Sequence, residues 1–254
     1  MKGLLSAMML VVLTLGVTSA RAQTEVTLLA PGITPTKGAL EKVIPAFESK
    51  TGYKVKITYG SGLGTKEQVA KGQPLDVSVF FAPAPEALAS PTIAKSSAKT
   101  IARLVMAVVV KKGAAKPDIS TPAAAKRALL AVNSIDIVDP KTGSAGWGTM
   151  ETLKKLGIEQ QMQPKIKLVR GGNISQEDVA KGNIDMCLLY LGDVENPGVD
   201  VVGPLPAKAS VSTDVVGVIS AKPSDPKAAK ALLDYLASPE ATAVYKTTGL
   251  QPAH

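Results

Sequence analysis

The sequence of 254 residues predicts an α/β fold built on parallel strands. Two observations predict it. Apolar runs of strand length alternate with segments whose apolar residues recur at helical spacing. Three strand–helix steps follow one another between residues 25 and 89, and short links between such steps place successive strands side by side in one sheet through right-handed crossovers. There is no internal repeat and no low-complexity tract.

Each element has its own warrant. Glu25–Ala30 reads as a buried strand. In Thr36–Lys50, Leu40, Val43, Ile44 and Phe47 fall at i, i+3, i+4 and i+7, and Thr51-Gly52 ends the helix. Tyr53–Tyr59 alternates as a strand, Gly60–Gly64 turns, and Thr65–Lys71 forms a short helix broken by Gly72-Gln73-Pro74. Asp76–Phe81 is the third strand, followed by a helix at Pro85–Ala89 and a polar connection. Leu104–Val110 is a strand closed by Lys111-Lys112. Then come a helix near Pro122–Leu130, the strand Ile135–Val138, and a helix over 145–156 in which Trp147, Met150, Leu153 and Leu156 recur every three residues before Gly157. Lys165–Val169, the helix Ile174–Lys181 and Asp185–Tyr190 repeat the pattern. Val199–Val202 and Val211–Ser220 are strands, and the helices Pro226–Ala237 and Pro239–Thr247 close the chain.

The N-terminus reads as a secretory leader. Lys2 precedes an almost unbroken apolar run, Leu4–Val17, and the small residues of Ala20-Arg21-Ala22 suit signal peptidase, with cleavage before Gln23. The run is short for a membrane span. No Cys stands at the cleavage site, so the exported chain carries no lipid anchor there. These features place the protein in the periplasm as a soluble chain. The single Cys, Cys187, lies in an apolar run and reads as a small buried hydrophobe.

The net charge of +8 falls to +6 once Lys2 and Arg21 are removed, and the excess is scattered lysine. No arginine-rich tract interleaves with aromatics, so nucleic acid is not an expected partner. The one His is the last residue, His254, where a frayed terminus cannot position a general base, and no His/Cys cluster exists for zinc. Asp136 and Asp139 flank a strand end and read as turn and capping residues. No catalytic residue, metal site or cofactor is expected.

Three loops carry the binding signal. They are Ala30–Thr36, Tyr59–Thr65 and Asp139–Gly146. Each follows a strand, is rich in Gly and hydroxyls, and leads into a helix. Ligands of open α/β sheets lie beyond the carboxyl ends of strands. A helix start presents unpaired N–H groups and partial positive charge, which suits an anion. In any one loop, hydroxyls that cap the helix and glycines that ease the turn explain the composition better than a ligand does. The recurrence in both halves of the chain favours a ligand.

At this point the residues resemble the periplasmic molybdate-binding proteins of ABC importers. The likeness rests on Tyr59-Gly60-Ser61-Gly62-Leu63-Gly64 leading to Gly72-Gln73-Pro74-Leu75-Asp76-Val77, on Asp139-Pro140 through Ser144-Ala145-Gly146 with Leu153–Gly157, on Val179–Asp185 with Leu189-Tyr190, and on the tail from Ala228 to Gly249. The resemblance implies a two-lobed type II periplasmic binding protein fold. Each lobe would be a mostly parallel sheet flanked by helices, with two hinge crossings. Lobe one would hold 23–103 and 205–254, and lobe two 104–204. The resemblance also implies a monomer that binds a small molybdate- or tungstate-like anion between the lobes and delivers it to an inner-membrane ABC permease. Carried over by position, Ser61 is a hydroxyl donor, Ala145 and Ile174 are backbone donors, and Tyr190 is a phenolic donor. The family's first-loop serine is absent. Thr34 can replace its hydroxyl, or Gly32 and Ile33 offer backbone alone, and Gly62 stands where a further serine is common. These departures leave open a small organic carboxylate or another anion as the ligand. Lys37, Lys66 and Arg170 lie in or beside the loops and read first as solvated surface charge, although a fixed cation there would suit a carboxylate. An exported enzyme on the same scaffold is the alternative from another class.

Overall fold

The structure is a computed structural model in which residues 24–253 are described. The expected leader lies outside the described residues. The first part of the chain runs β1 (Glu25–Pro31), α1 (Thr34–Thr51), β2 (Lys54–Gly60), α2 (Gly64–Ala70), β3 (Val77–Phe81), α3 (Pro85–Ala89) and β4 (Lys99–Leu104). It continues through β5 (Met106–Lys111), α4 (Pro122–Ala131), β6 (Ile135–Val138), α5 (Ser144–Lys155), α6 (Glu159–Met162), β7 (Ile166–Val169), α7 (Gly172–Lys181), β8 (Met186–Tyr190) and β9 (Val199–Pro204). It ends with β10 (Thr213–Ile219), α8 (Pro226–Leu236) and α9 (Pro239–Lys246).

These strands form two five-stranded sheets, ordered β2-β1-β3-β10-β4 and β7-β6-β8-β5-β9. The expected parallel core is present in each. β1 pairs in parallel with β2 and β3, and β6 with β7 and β8. The far side of each sheet is antiparallel: β10 runs against β3 and β4, and β5 against β8 and β9. The sheets are therefore mixed, and the crossing strands account for the difference. The chain passes between sheets at Val105 and again between Pro204 and Thr213. Leu191 N–H donates to Val105 O (3.0 Å) and Leu205 N–H to Met106 O (2.8 Å), which ties the crossings to their neighbours.

β4 corrects the expected polar connection. Its burial runs exposed, half-buried, buried, buried, half-buried, buried. Arg103 on it donates to Asp214 of β10 (2.8 Å) directly across the ladder. A charged edge strand of this kind hides in sequence because half its side chains face water. α5 corrects a periodicity. Its buried face is Ser144, Ala145, Gly148, Thr149, Thr152 and Leu153, not the stripe that begins at Trp147. The threonine hydroxyls on that face donate back to Ala145 O (2.9 Å) and Gly148 O (2.7 Å), so polar residues are buried without loss.

Two carboxylates in the core have opposite fates. Asp76 accepts from Thr27 N–H (2.9 Å) and Oγ1 (2.7 Å) and from Ser224 N–H (2.7 Å), which joins β1 to the loop before α8. Burial alone would raise its pKa, but the backbone bonds from Ser224 and Thr27 outweigh burial and hold it below the ordinary value. Asp136, expected as a turn residue, is instead wholly buried in β6, and neither carboxyl oxygen meets a hydrogen-bond donor among the described residues. Burial raises it to about 6, with Lys167 opposing and Asp178 adding to the shift. A raised folded pKa contributes stability that is full below about pH 4 and lost as pH rises through about 6. Asp136→Asn removes that loss. The variant should melt several degrees above the parent near pH 8 and level with it near pH 4, a difference on the order of 2 kcal/mol. Equal melting temperatures at both pH values would refute this account of Asp136.

Cys187, on β8, is buried as expected, and burial pushes its thiol pKa up.

Candidate functional site

The carboxyl ends of β1, β2, β6, β7 and β8 open onto one cleft between the sheets, with a volume of about 400 Å³. Gly32, Ile33, Thr34, Gly60, Ser61 and Gly62 line it from the first lobe. Thr142, Gly143, Ser144, Ala145, Arg170, Gly171, Gly172, Asn173, Gln176, Asp193 and Glu195 line it from the second, together with Val138 and Leu189.

Local chemistry sets the loops. Gly32 N–H donates to Gly60 O (2.8 Å), which couples the first two loops. Ser61 Oγ accepts from Gly64 N–H (2.9 Å), leaving its own hydroxyl hydrogen to donate. Asp139 organises the third loop as the turn residue expected: its Oδ1 accepts from Lys141 N–H (2.9 Å), and its carbonyl from Thr142 (3.0 Å) and Gly143 (2.9 Å). Gly62 brings the lobes together, since a Cβ there would stand 2.7 Å from Ser144 Oγ.

The helix starts divide into two groups. Among helices of eight residues or more, α4, α8 and α9 are capped by side chains of Thr121, Asp225 and Ser238. α1, α5 and α7 begin at Ile33, Gly143 and Gly171, which make no side-chain cap bond. These three are the ones that open on the cleft. The first N–H groups of a helix have no partner inside it. At the cleft, the N–H groups of Ser144, Ala145, Gly172 and Asn173 are therefore available, and the helix dipoles add positive potential.

Six of the eight expected residues meet here: Gly32, Ile33, Thr34, Ser61, Gly62 and Ala145. Two do not line the cleft. Ile174 N–H donates to Gly171 O (3.2 Å), so the free amides of α7 lie earlier, at Gly172 and Asn173. Tyr190 is fully buried behind the wall. Its hydroxyl donates to Ser144 O (2.9 Å) and lies 3.1 Å from Thr213 Oγ1 on β10, and burial pushes its pKa up to about 12. It therefore fixes the start of α5 to the crossing strand. Tyr190→Phe should cost about 0.5–1.5 kcal/mol, because the buried hydroxyl's bonds to the Ser144 carbonyl and Thr213 Oγ1 are lost. Chemical denaturation measures this, and an unchanged midpoint would refute the role. Of the three cations considered, Lys37 pairs with Glu41 (3.8 Å) and Lys66 donates to Pro83 O (3.0 Å), both away from the cleft. Arg170 lines the cleft and has no ion-pair partner among the described residues.

Outside the three loops, polar cleft residues not anticipated from sequence are Asn173, Gln176, Asp193 and Glu195. Gln176 holds the segment after β8: its Nε2 donates to Asp193 O (2.9 Å), and its Oε1 accepts from Glu195 N–H (2.8 Å) and Asn196 N–H (2.9 Å). The Asp193 carboxyl accepts the Thr34 N–H at the start of α1, bridging the lobes. Burial raises its pKa to about 7; Glu195 adds to the shift and the Thr34 bond opposes it.

Residues 30–251 match the family model described as bacterial extracellular solute-binding protein. The chain belongs to that family. This extracellular solute-binding protein is also 30% identical over 241 residues to the aconitate isomerase of a Pseudomonas species, covering 92% of this chain and 90% of that one. It is 30% identical over 218 residues to the molybdate-binding protein of Azotobacter vinelandii, covering 83% and 84%. The resemblance read from the loop motifs thus stands. Among solved structures, the substrate-binding domain of a putative molybdenum ABC transporter from Clostridium difficile superposes with a TM-score of 0.78 at 17% identity, covering 91% of this solute-binding protein and 100% of that chain. That likeness bears out the two-lobed α/β fold.

Proposed function

We propose that this protein is an exported receptor whose cleft captures a small organic anion bearing more than one carboxylate and presents it to an ABC permease. The observation that carries the reading is Arg170 in the same cleft as the free amides at the starts of α5 and α7. Neutral amides and hydroxyls suit any oxyanion. A guanidinium adds a planar fork that matches a carboxylate with two parallel hydrogen bonds. The volume of about 400 Å³ falls in the range of organic ligand sites. The relative named for aconitate, a tricarboxylate, supports the same class. The molybdate-binding relative and Ser61 support a second reading, in which a tetrahedral oxyanion occupies the cleft.

Thermal shift separates these readings. The panel is trans-aconitate, citrate, malate, molybdate, tungstate and sulfate. A ligand at a hundred times its Kd adds about 2.7 kcal/mol, which is several degrees for a chain this size. The tricarboxylates should shift the melting temperature and sulfate should not. A shift with molybdate alone would overturn the carboxylate reading, and no shift with any anion would overturn the receptor reading.

A further inference from the structure

We propose that the cleft also performs chemistry: Asp193 moves a proton between two carbons of a bound unsaturated polycarboxylate, shifting its double bond. This rests on the carboxylate reading above and adds an activity to it.

The cleft is built to attract negative charge, so a carboxyl group on its wall needs an explanation. Asp193 is such a group, and it is held in place. Gln176, from α7, fixes its backbone and that of Glu195, while the Thr34 N–H at the start of α1 fixes its carboxyl. The same α7 begins with the free amides of Gly172 and Asn173. One helix thus positions both the anion donors and the carboxyl. Its raised pKa, about 7, lets either protonation state be reached near neutral pH, as an acid–base group requires. A perturbed carboxyl in a cleft is a recognised mark of function. The charged groups around it are few. Glu195 and Arg170 share the cleft; on α1, which packs against this turn, Lys37 pairs with Glu41 and Lys42 reaches Thr247; on β9, Asp200 accepts from Gly113 N–H.

The step balances. Asp193 as carboxylate takes a proton from a methylene next to the double bond. The C–H bond breaks, an O–H bond forms, and the electron pair spreads across three carbons and their carboxylates. Arg170 and the free amides of α5 and α7 stabilise that spread charge. The proton then returns to the carbon two positions away, and the double bond reforms in either geometry. Nothing is oxidised or reduced.

Incubation with trans-aconitate in deuterium oxide, followed by proton NMR, tests this. The protein should incorporate deuterium at the methylene and produce the cis isomer, at a rate that rises with pH through about 7. Asp193→Asn keeps an acceptor for Thr34 and should bind trans-aconitate within a few-fold of wild type, yet lose exchange at least a hundredfold. Glu195→Gln, an exposed change, should move the pH midpoint lower. Binding without deuterium uptake above a protein-free control would overturn the activity and leave the receptor reading intact. Exchange by Asp193→Asn at the wild-type rate would overturn the assignment of Asp193. Absence of binding would overturn both, and the thermal-shift panel would already have shown it.

Discussion

Arg170→Ala should raise the dissociation constant for a tricarboxylate by about thirtyfold or more, while the melting temperature of the unliganded protein stays within about a degree. The asymmetry follows from position. Arg170 is exposed and has no ion-pair partner among the described residues, so its truncation removes no ion pair from the unliganded fold. In the proposed complex it faces a carboxylate in a cleft from which water is displaced, and truncating one partner of such a charge pair costs roughly 2–5 kcal/mol. At 1.4 kcal/mol per tenfold, that is about thirty- to several-thousand-fold. Arg170→Lys should recover part of the loss, because an ammonium restores the charge but not the fork. Titration calorimetry reads both variants. Affinity unchanged in Arg170→Ala would remove the observation on which the carboxylate reading stands.

Gly146→Ala should produce the largest loss of stability. A Cβ at this position would collide with the Val138 carbonyl oxygen and stand 2.7 Å from its carbonyl carbon and 3.0 Å from Pro140 N. These are backbone atoms at the end of β6 and in the third loop, and they cannot rotate aside. The start of α5 would have to lift away from the strand, at a cost of about 3 kcal/mol or more. The melting temperature should fall by roughly 5–10 °C. The free amides of Ser144 and Ala145 would move with the helix, so binding should weaken as well. Gly148→Ala is the control: its nearest neighbours are the flexible Met106 Sδ at 3.1 Å and Tyr190 Oη at 3.4 Å, and its cost should be small. A Gly146→Ala protein with wild-type stability would contradict the packing described for α5.

Much of this was legible in sequence, for physical reasons. Strands such as Val77–Phe81 and Met186–Tyr190 are buried along their whole length and read as apolar runs, broken in the first only by Ser78. The three cleft loops stood out because Gly and hydroxyl residues cluster where strands give way to helices. Lys99–Leu104 was missed because an edge strand carries charge on its wet face. Tyr190 was placed on the ligand because its position in the chain is right; only packing reveals that its hydroxyl is spent on Ser144 and Thr213. Asp193 left no signal. Leu191-Gly192-Asp193 reads as an ordinary turn, and its standing comes from α1 and α7, which are distant in sequence. The absence of caps was present in the sequence at Ile33, Gly143 and Gly171. Its meaning depends on knowing which helices share a cleft.

That contrast supplies the most direct test. Backbone amide NMR of the labelled protein, titrated with trans-aconitate, reports each helix start separately. Large shifts are expected for the amides of Ser144, Ala145, Gly172 and Asn173, with slowed hydrogen exchange there. No change is expected at the capped starts of α4, α8 and α9. Saturable binding that leaves the starts of α5 and α7 undisturbed would contradict the claim that these amides hold the ligand.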